Sequence, residues 1–437
     1  MRKFALLLWL AALAGADDLP QVDWVPTWEK AFAQAKAENK PVLLCINSKD
    51  GEIANETTAK EIYRDPLFVA LSRKFVMLLV SARAHAETGP CPRFGKVTCE
   101  EHLQCWRDLT SAHGETFVVP GSGGEMISPQ HAWFAPDGRL LRRKEYQLDK
   151  NELMRRMRET LEEVGVGGAT AGAAGPLADK ERADLERLRG ATDRETRMAA
   201  LGNLLATEKA AVHEELVALL GATKDTSLKA DILRALANAQ VAAAGPAAER
   251  LLSDNDAFVR SMAAVALENL KDKAAVPALL KRIRAEDDPT ARRNACRALG
   301  ECGGRAADKA AAKALLDAVG GDKQKMVCKH AALALKGFAG TGAPLVRKRL
   351  EQAALRTKDP EVRRGIVYTL AFVGDAKTTV PVLEKLLEDE HEDWAQKFVR
   401  AAISRVSGAE AGAEGDALAA SASWLFWEDR QDPARGG

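Results

Sequence analysis

The sequence predicts an α/β domain followed by an all-α helical solenoid. Three observations carry that expectation. The first is a repeat. A polar or small anchor is followed seven residues later by a branched aliphatic residue in seven pairs: Arg197/Leu204, Lys229/Leu236, Arg260/Leu267, Arg292/Leu299, Cys328/Leu335, Arg363/Leu370 and Gln396/Ile403. A period between 31 and 36 residues marks stacked helical hairpins, each too small to bury its own apolar face. The second is a composition change. Residues 165–176 are almost entirely Gly and Ala, the make-up of a flexible linker. The third lies before that linker, where short continuous apolar runs alternate with amphipathic stretches, as in a sheet covered by helices.

In chain order, residues 28–39 carry Trp28, Ala31, Phe32 and Ala35 on one helical face. Residues 41–46 read as a buried central strand. Residues 56–75 read as a helix broken at Asp65-Pro66, and 76–80 as a second buried strand. After a long excursion, residues 131–134, the turn Pro136-Asp137-Gly138 and residues 139–141 form a hairpin. Residues 149–164 close the domain as a helix with Leu153, Met157 and Leu161 in register. In the array, Asp288-Pro289 and Asp359-Pro360 stand where Asp caps a helix and Pro fits its first turn. Ala263, Ala264, Ala331, Ala332 and Ala334 allow neighbouring helices to approach closely. The repeated Arg and Lys anchors are expected to tie each unit to the acidic start of a neighbour. Cys296 and Cys328 fall on apolar faces as core thiols.

The chain begins with Arg2 and Lys3, an apolar run over residues 4–13 and Ala14-Gly15-Ala16, the three parts of a secretory signal. Residues 1–16 are therefore expected to be removed, and the mature chain to reside in the periplasm or outside the cell. No other run is long and apolar enough to span a membrane. A formal charge of +1 gives no reason to expect nucleic acid. All seven Cys lie beyond residue 16, in a compartment that tolerates disulfides.

Two resemblances sharpen this reading. The unit length, the Asp-Pro starts and the steps Val259-Arg260, Ala291-Arg292 and Val362-Arg363 resemble HEAT or HEAT-like repeats, about seven units over residues 179–407. Residues 22–164 resemble the secreted thioredoxin-like branch of the thioredoxin fold. The phrases that carry it are Ala35-Lys36-Ala37-Glu38-Asn39-Lys40-Pro41-Val42-Leu43-Leu44, Asp65-Pro66, and Ser128-Pro129 before the strand leading to Pro136-Asp137-Gly138. In that family a Cys-x-x-Cys opens the helix after the first strand. Here the matching position is Gly51-Glu52-Ile53-Ala54, so the resemblance implies a redox-inactive module. Pro129 matches the family's cis-Pro. The expected organisation is a signal (1–16), a thioredoxin-like domain (17–164) with an insert (81–128), a linker (165–178), the array (179–407) and an Ala/Gly-rich tail (408–437). The tail's Trp424, Leu425, Phe426 and Trp427 are expected to cap the last repeat.

Reactive side chains concentrate in the insert. Cys91, Cys99 and Cys105 lie there, with His85, His102, His113 and His131 in or beside it. Cys99 and His102 stand one helical turn apart if Thr98 caps a helix. Cys91, Cys99, His102 and His131, with Cys105 as an alternative ligand, are the expected two-thiolate, two-imidazole set for zinc or copper. The competing readings are a disulfide staple and a redox-active pair. No catalytic residue is assigned. The favoured expectation is an interaction scaffold that binds a protein or an extended peptide along the array. The alternative is a metal-binding or thiol–disulfide handling protein that uses the insert.

Overall fold

The computed structural model describes residues 21–47, 53–82, 84–112, 117, 128–145, 150–165, 174–304, 307–408 and 418. The expected signal, residues 166–173 of the linker, His113 and nearly all of the tail lie outside these residues. The chain divides into two compact units: residues 1–216 with 238–241, and residues 217–237 with 242–437.

The first unit is built on a five-stranded mixed sheet. Its elements are β1 (Trp24–Val25), α1 (Trp28–Glu38), β2 (Val42–Asn47), α2 (Ile53–Thr57, continued as a π-helical turn over Thr58–Ile62), α3 (Pro66–Ser72) and β3 (Val76–Ser81). Then come β4 (Pro90–Cys91), β5 (Gly95–Thr98), α4 (Cys99–Ala112), β6 (Gln130–Phe134), β7 (Leu140–Glu145) and α5 (Lys150–Glu163). The strand order is β1-β3-β2-β6-β7, with β4 and β5 forming a separate two-stranded ribbon. β1 and β2 run parallel to β3, and β6 runs antiparallel to both β2 and β7.

β2 and β3 are buried throughout, and apolar up to their last residues Asn47 and Ser81, because both faces of the sheet are covered. Side chains alternate between faces. Val42, Leu44, Ile46, Val76, Leu78, Val80, Ala132 and Phe134 form one core with Ala31 and Ala35 of α1 and Cys105 and Leu109 of α4. The alternate residues, among them Leu43, Cys45, Met77, Leu79, His131 and Trp133, face the other way and are also buried. Asp65 caps α3 by accepting from the Leu67 and Phe68 amides, which explains the break expected at Asp65-Pro66. The Ser128–Pro129 peptide is cis.

Two further helices, α6 (Asp179–Gly190) and α7 (Arg194–Leu205), belong to this first unit. α7 packs on α3. Gly202 permits the approach, since a Cβ there would lie 2.3 Å from the Pro66 Cβ. The pair Arg197/Leu204 thus lies in the unit that contains the sheet.

Helix α8 (Ala210–Ala222) crosses the division, and α9 (Thr226–Asn238) and α10 (Ala244–Leu251) follow it. The second unit continues with α11 (Ala257–Leu270), α12 (Val276–Ala285), α13 (Pro289–Gly304), α14 (Lys309–Gly321), α15 (Lys325–Ala334), α16 (Ala343–Arg356), α17 (Pro360–Val373), α18 (Thr379–Glu388) and α19 (Asp393–Ser407). Odd helices pack on odd ones, α11 on α13, α13 on α15, α15 on α17 and α17 on α19. Even helices form the second layer, α12 on α14, α14 on α16 and α16 on α18. This is the nearest-neighbour stack that the repeat demands. Asp256, Asp288, Asp308 and Asp359 cap α11, α13, α14 and α17.

The anchors hold this stack together. Lys229 pairs with Asp254 at 2.6 Å, Arg260 grips Glu286 at 2.7 and 2.8 Å, and Arg292 grips Asp322 at 2.7 and 3.0 Å. A second contact recurs across five units. Each anchor donates to the carbonyl six residues earlier: Arg260 to Asp254, Arg292 to Glu286, Cys328 to Asp322, Arg363 to Thr357 and Gln396 to Glu390. That carbonyl lies at the end of the preceding hairpin, where the helix no longer supplies a donor.

Candidate metal centre and repeat surface

The insert folds around four side chains. The ribbon β4–β5 turns through Pro92, Arg93 and Phe94, with Gly95 at φ +81°, a left-handed conformation that suits glycine. The turn aims the amides of Arg93 and Phe94 at the Cys91 sulfur, so both donate to it. Trp24 Nε1 holds the turn by donating to the Phe94 carbonyl at 3.0 Å.

α4 begins at Cys99 because Thr98 and Glu101 form a reciprocal cap. The Glu101 amide donates to Thr98 Oγ1 at 3.2 Å, and the Thr98 amide donates to Glu101 Oε2 at 2.8 Å. One turn of helix then places Cys99 and His102 on the same side. The Cys99 sulfur accepts from the amides of His85 and Ala86 at 3.1 and 3.3 Å. His102 Nδ1 lies 3.2 Å from the Ser81 carbonyl, at the end of β3. A carbonyl only accepts, so Nδ1 carries the proton and Nε2 keeps its lone pair.

His85 completes the group. Its Nδ1 lies 3.4 Å from Cys91 Sγ, and its ring packs against Phe94 and His102 with centroids 5.5 Å away in each case. One donor atom each from His85, Cys91, Cys99 and His102 lies within 4.8 Å of the other three. Cys91, Cys99 and His102 are buried, while His85 is half-buried.

Three of the four expected ligands, Cys91, Cys99 and His102, are therefore brought together. His131 is not among them. It pairs with Cys45 across β2 and β6, so both point to the sheet face opposite α4. There its Nε2 meets the Tyr63 hydroxyl at 2.9 Å, and burial pulls its pKa down to about 3. Cys105, the alternative ligand, sits in the core beneath α4 and donates to the Pro26 carbonyl. His85 was named among the clustered histidines but not as a ligand. The signal that would have found it is its placement just after the buried strand, where the chain leaves the end of β3.

All seven thiols are free and buried. Burial pushes Cys45, Cys105 and Cys296 up to about 12. Burial, the Cys99 hydrogen bond and the Cys99 charge raise Cys91 to about 11 against the pull of the two turn amides. Cys45, Cys105 and Cys296 thus lie in the core and not in the accessible setting of a redox nucleophile. Gly51 and Glu52 of the vacated motif lie outside the described residues, while Ile53 and Ala54 open α2.

In the second unit, cations lie over aromatic rings that range from buried Tyr368 through half-buried Phe372 to exposed Trp394. Lys336 Nζ is 4.2 Å from the Phe372 centroid and 5.3 Å from that of Tyr368, and Arg405 covers Phe372 at 4.3 Å. Arg364 lies 4.4 Å over Trp394, which is 40 % exposed.

Comparison with known proteins bears on this unit. The family model for HEAT repeats matches residues 213–300, 276–353 and 331–404. Residues 213–404 are HEAT repeats. The HEAT matches begin after Arg197/Leu204, the pair that lies in the first unit. No curated protein matches the chain. Among solved structures, the chain is similar to the complex of CpcE and CpcF of phycocyanin lyase from Nostoc sp. PCC7120. Identity is 22%, coverage is 54% of this chain and 97% of that chain, and the TM-score is 0.32. So loose a likeness bears on neither fold nor function. Among the described residues no helix is long and apolar enough to cross a membrane.

Proposed function

We propose that this protein is an interaction scaffold, in which the HEAT array binds a protein or an extended peptide and the first unit is a redox-inactive thioredoxin-like module. The observation that carries the reading is the run of HEAT repeats over residues 213–404. Such arrays present one long face built from repeated units. The anchor charges are spent inside the stack, on Asp254, Glu286 and Asp322. Partner contacts then fall to exposed side chains such as Trp394 and Lys336. Aromatic and Arg side chains are the types that dominate interface energetics.

The thioredoxin-like assignment is supported by the strand order β1-β3-β2-β6-β7 and by an α/β order that matches the family's. Redox inactivity is supported by Gly51-Glu52-Ile53-Ala54 at the motif position and by the raised thiol pKa values. The signal-like N-terminus supports a periplasmic or extracellular location. An insulin-reduction assay separates this reading from a thiol–disulfide oxidoreductase. The purified chain should show no turnover above background. Turnover that disappears in a Cys91→Ser/Cys99→Ser variant would make it an oxidoreductase.

A further inference from the structure

We propose that His85, Cys91, Cys99 and His102 form a closed, four-coordinate Zn²⁺ site that pins the β4–β5 ribbon and α4 to the end of β3. The inference is independent of what the array binds.

Four neutral-or-anionic donors from three separate stretches of chain lie within 4.8 Å of one another. Tetrahedral zinc with bonds of about 2.0–2.3 Å places its ligands roughly 3.3–3.8 Å apart. Closure on an ion thus needs side-chain shifts on the order of 1 Å. Each sulfur already accepts two backbone amides, which stabilises the thiolate form that a metal requires. His102 is fixed in the tautomer that presents Nε2, by the Ser81 carbonyl behind it. That arrangement is the outer-shell bond that orients metal-bound imidazoles.

The donor set selects the ion. Two thiolates and two imidazoles in a tetrahedral arrangement suit zinc. Two thiolate charges cancel those of Zn²⁺, so the site is neutral where Cys91, Cys99 and His102 are buried. All four positions are filled by the protein, which leaves no place for a water or substrate and makes the role structural. The ribbon is also held by hydrogen bonds from Trp24 to the Phe94 carbonyl and from Arg64 to the Pro92 and Arg93 carbonyls, and by ion pairs of Arg93 with Glu56 and Lys96 with Asp23. Zinc adds a tie of a different kind, from Cys91 of the ribbon to Cys99 and His102 of α4 and to His85 just after β3.

The test uses the full chain purified without reductant or chelator, with Zn²⁺ as the probe. Elemental analysis should find about one zinc per chain, and thiol titration in denaturant with chelator should recover all seven thiols. Zinc affinity should fall at least about tenfold in His85→Ala, whose half-buried position tolerates truncation. Cys105→Ser should keep the metal. Because Cys91→Ser and Cys99→Ser can unfold the insert, cobalt(II) is also titrated into the unmodified metal-free chain. Tetrahedral bands with thiolate-to-cobalt charge transfer are expected. The proposal is overturned by a chain that takes up no stoichiometric zinc or by a cobalt spectrum without thiolate bands. Affinity unchanged in His85→Ala, or two thiols missing through a Cys91–Cys99 disulfide, would overturn it equally.

Discussion

From Arg260 onward the anchor residues of the array share an acceptor more than they share a charge. Arg260, Arg292, Cys328, Arg363 and Gln396 each donate to the carbonyl six residues back. This explains why Cys and Gln can stand where the repeat otherwise places Arg. Arg292 adds the two-pronged grip on Asp322, so Arg292→Met removes both contacts and leaves a half-buried carboxylate. We expect a loss of about 2–4 kcal/mol in chemical denaturation, against about 1–2 for Arg292→Gln, which can keep the carbonyl bond. Acid should act on the same carboxylates. Burial alone would raise Asp322 and Glu286, but hydrogen bonds from Arg292 and Arg260 outweigh it and hold both below their ordinary values. Their stabilisation is therefore complete above the unfolded values near 3.8 and 4.5 and is lost as pH falls through the folded ones. In the first unit His131 shifts the same boundary upward. Its folded pKa near 3 lies below the ordinary 6.5, so the neutral form is the folded one. Stability from that burial is full above pH 6.5 and declines below it. A pH series of thermal melts should show the first unit weakening before the array. Simultaneous loss of both at one lower pH would contradict this.

At the scale of elements, the reciprocal cap on α4 and the glycine under α3 carry separate predictions. Thr98→Ala should cost about 1 kcal/mol and loosen the first turn that holds Cys99 and His102. Gly202→Val drives a side chain into the Pro66 ring and should lower stability by about 1–3 kcal/mol, read as a fall in the melting temperature of the first unit. Much of this layer was legible beforehand. The apolar runs at β2 and β3, the Asp65-Pro66 break and the Thr98 cap each have a local cause that the residues themselves display. The ligand set was legible only in part. Cys99 and His102 share a helix, so their spacing sufficed. His131 could not be placed because Gln130, His131, Ala132, Trp133 and Phe134 are all buried. A strand covered on both sides carries no polar alternation to reveal which face a residue takes. The helix α4 lies on the other face, and that parity decides the matter. His85 failed to stand out because its role depends on where the chain leaves β3, a tertiary fact. The packing of α7 on α3 was hidden likewise, since it joins residues far apart in the chain.

For the whole molecule, the proposed division of labour is binding by the array and a framework role for the first unit. In the HEAT repeats Lys229, Arg260 and Arg292 are paired with Asp254, Glu286 and Asp322, and the insert gathers its chemistry into a largely buried cluster. The most direct measurement is photo-crosslinking from benzophenone side chains placed at Trp394 and Leu355, the exposed large apolar residues among those described in the second unit. The full chain would be expressed in its own cellular setting. The account predicts a discrete partner polypeptide trapped from at least one of these positions, and none from the same group placed at exposed Lys96 of the first unit. Crosslinks confined to Lys96, or none from either Trp394 or Leu355, would contradict it.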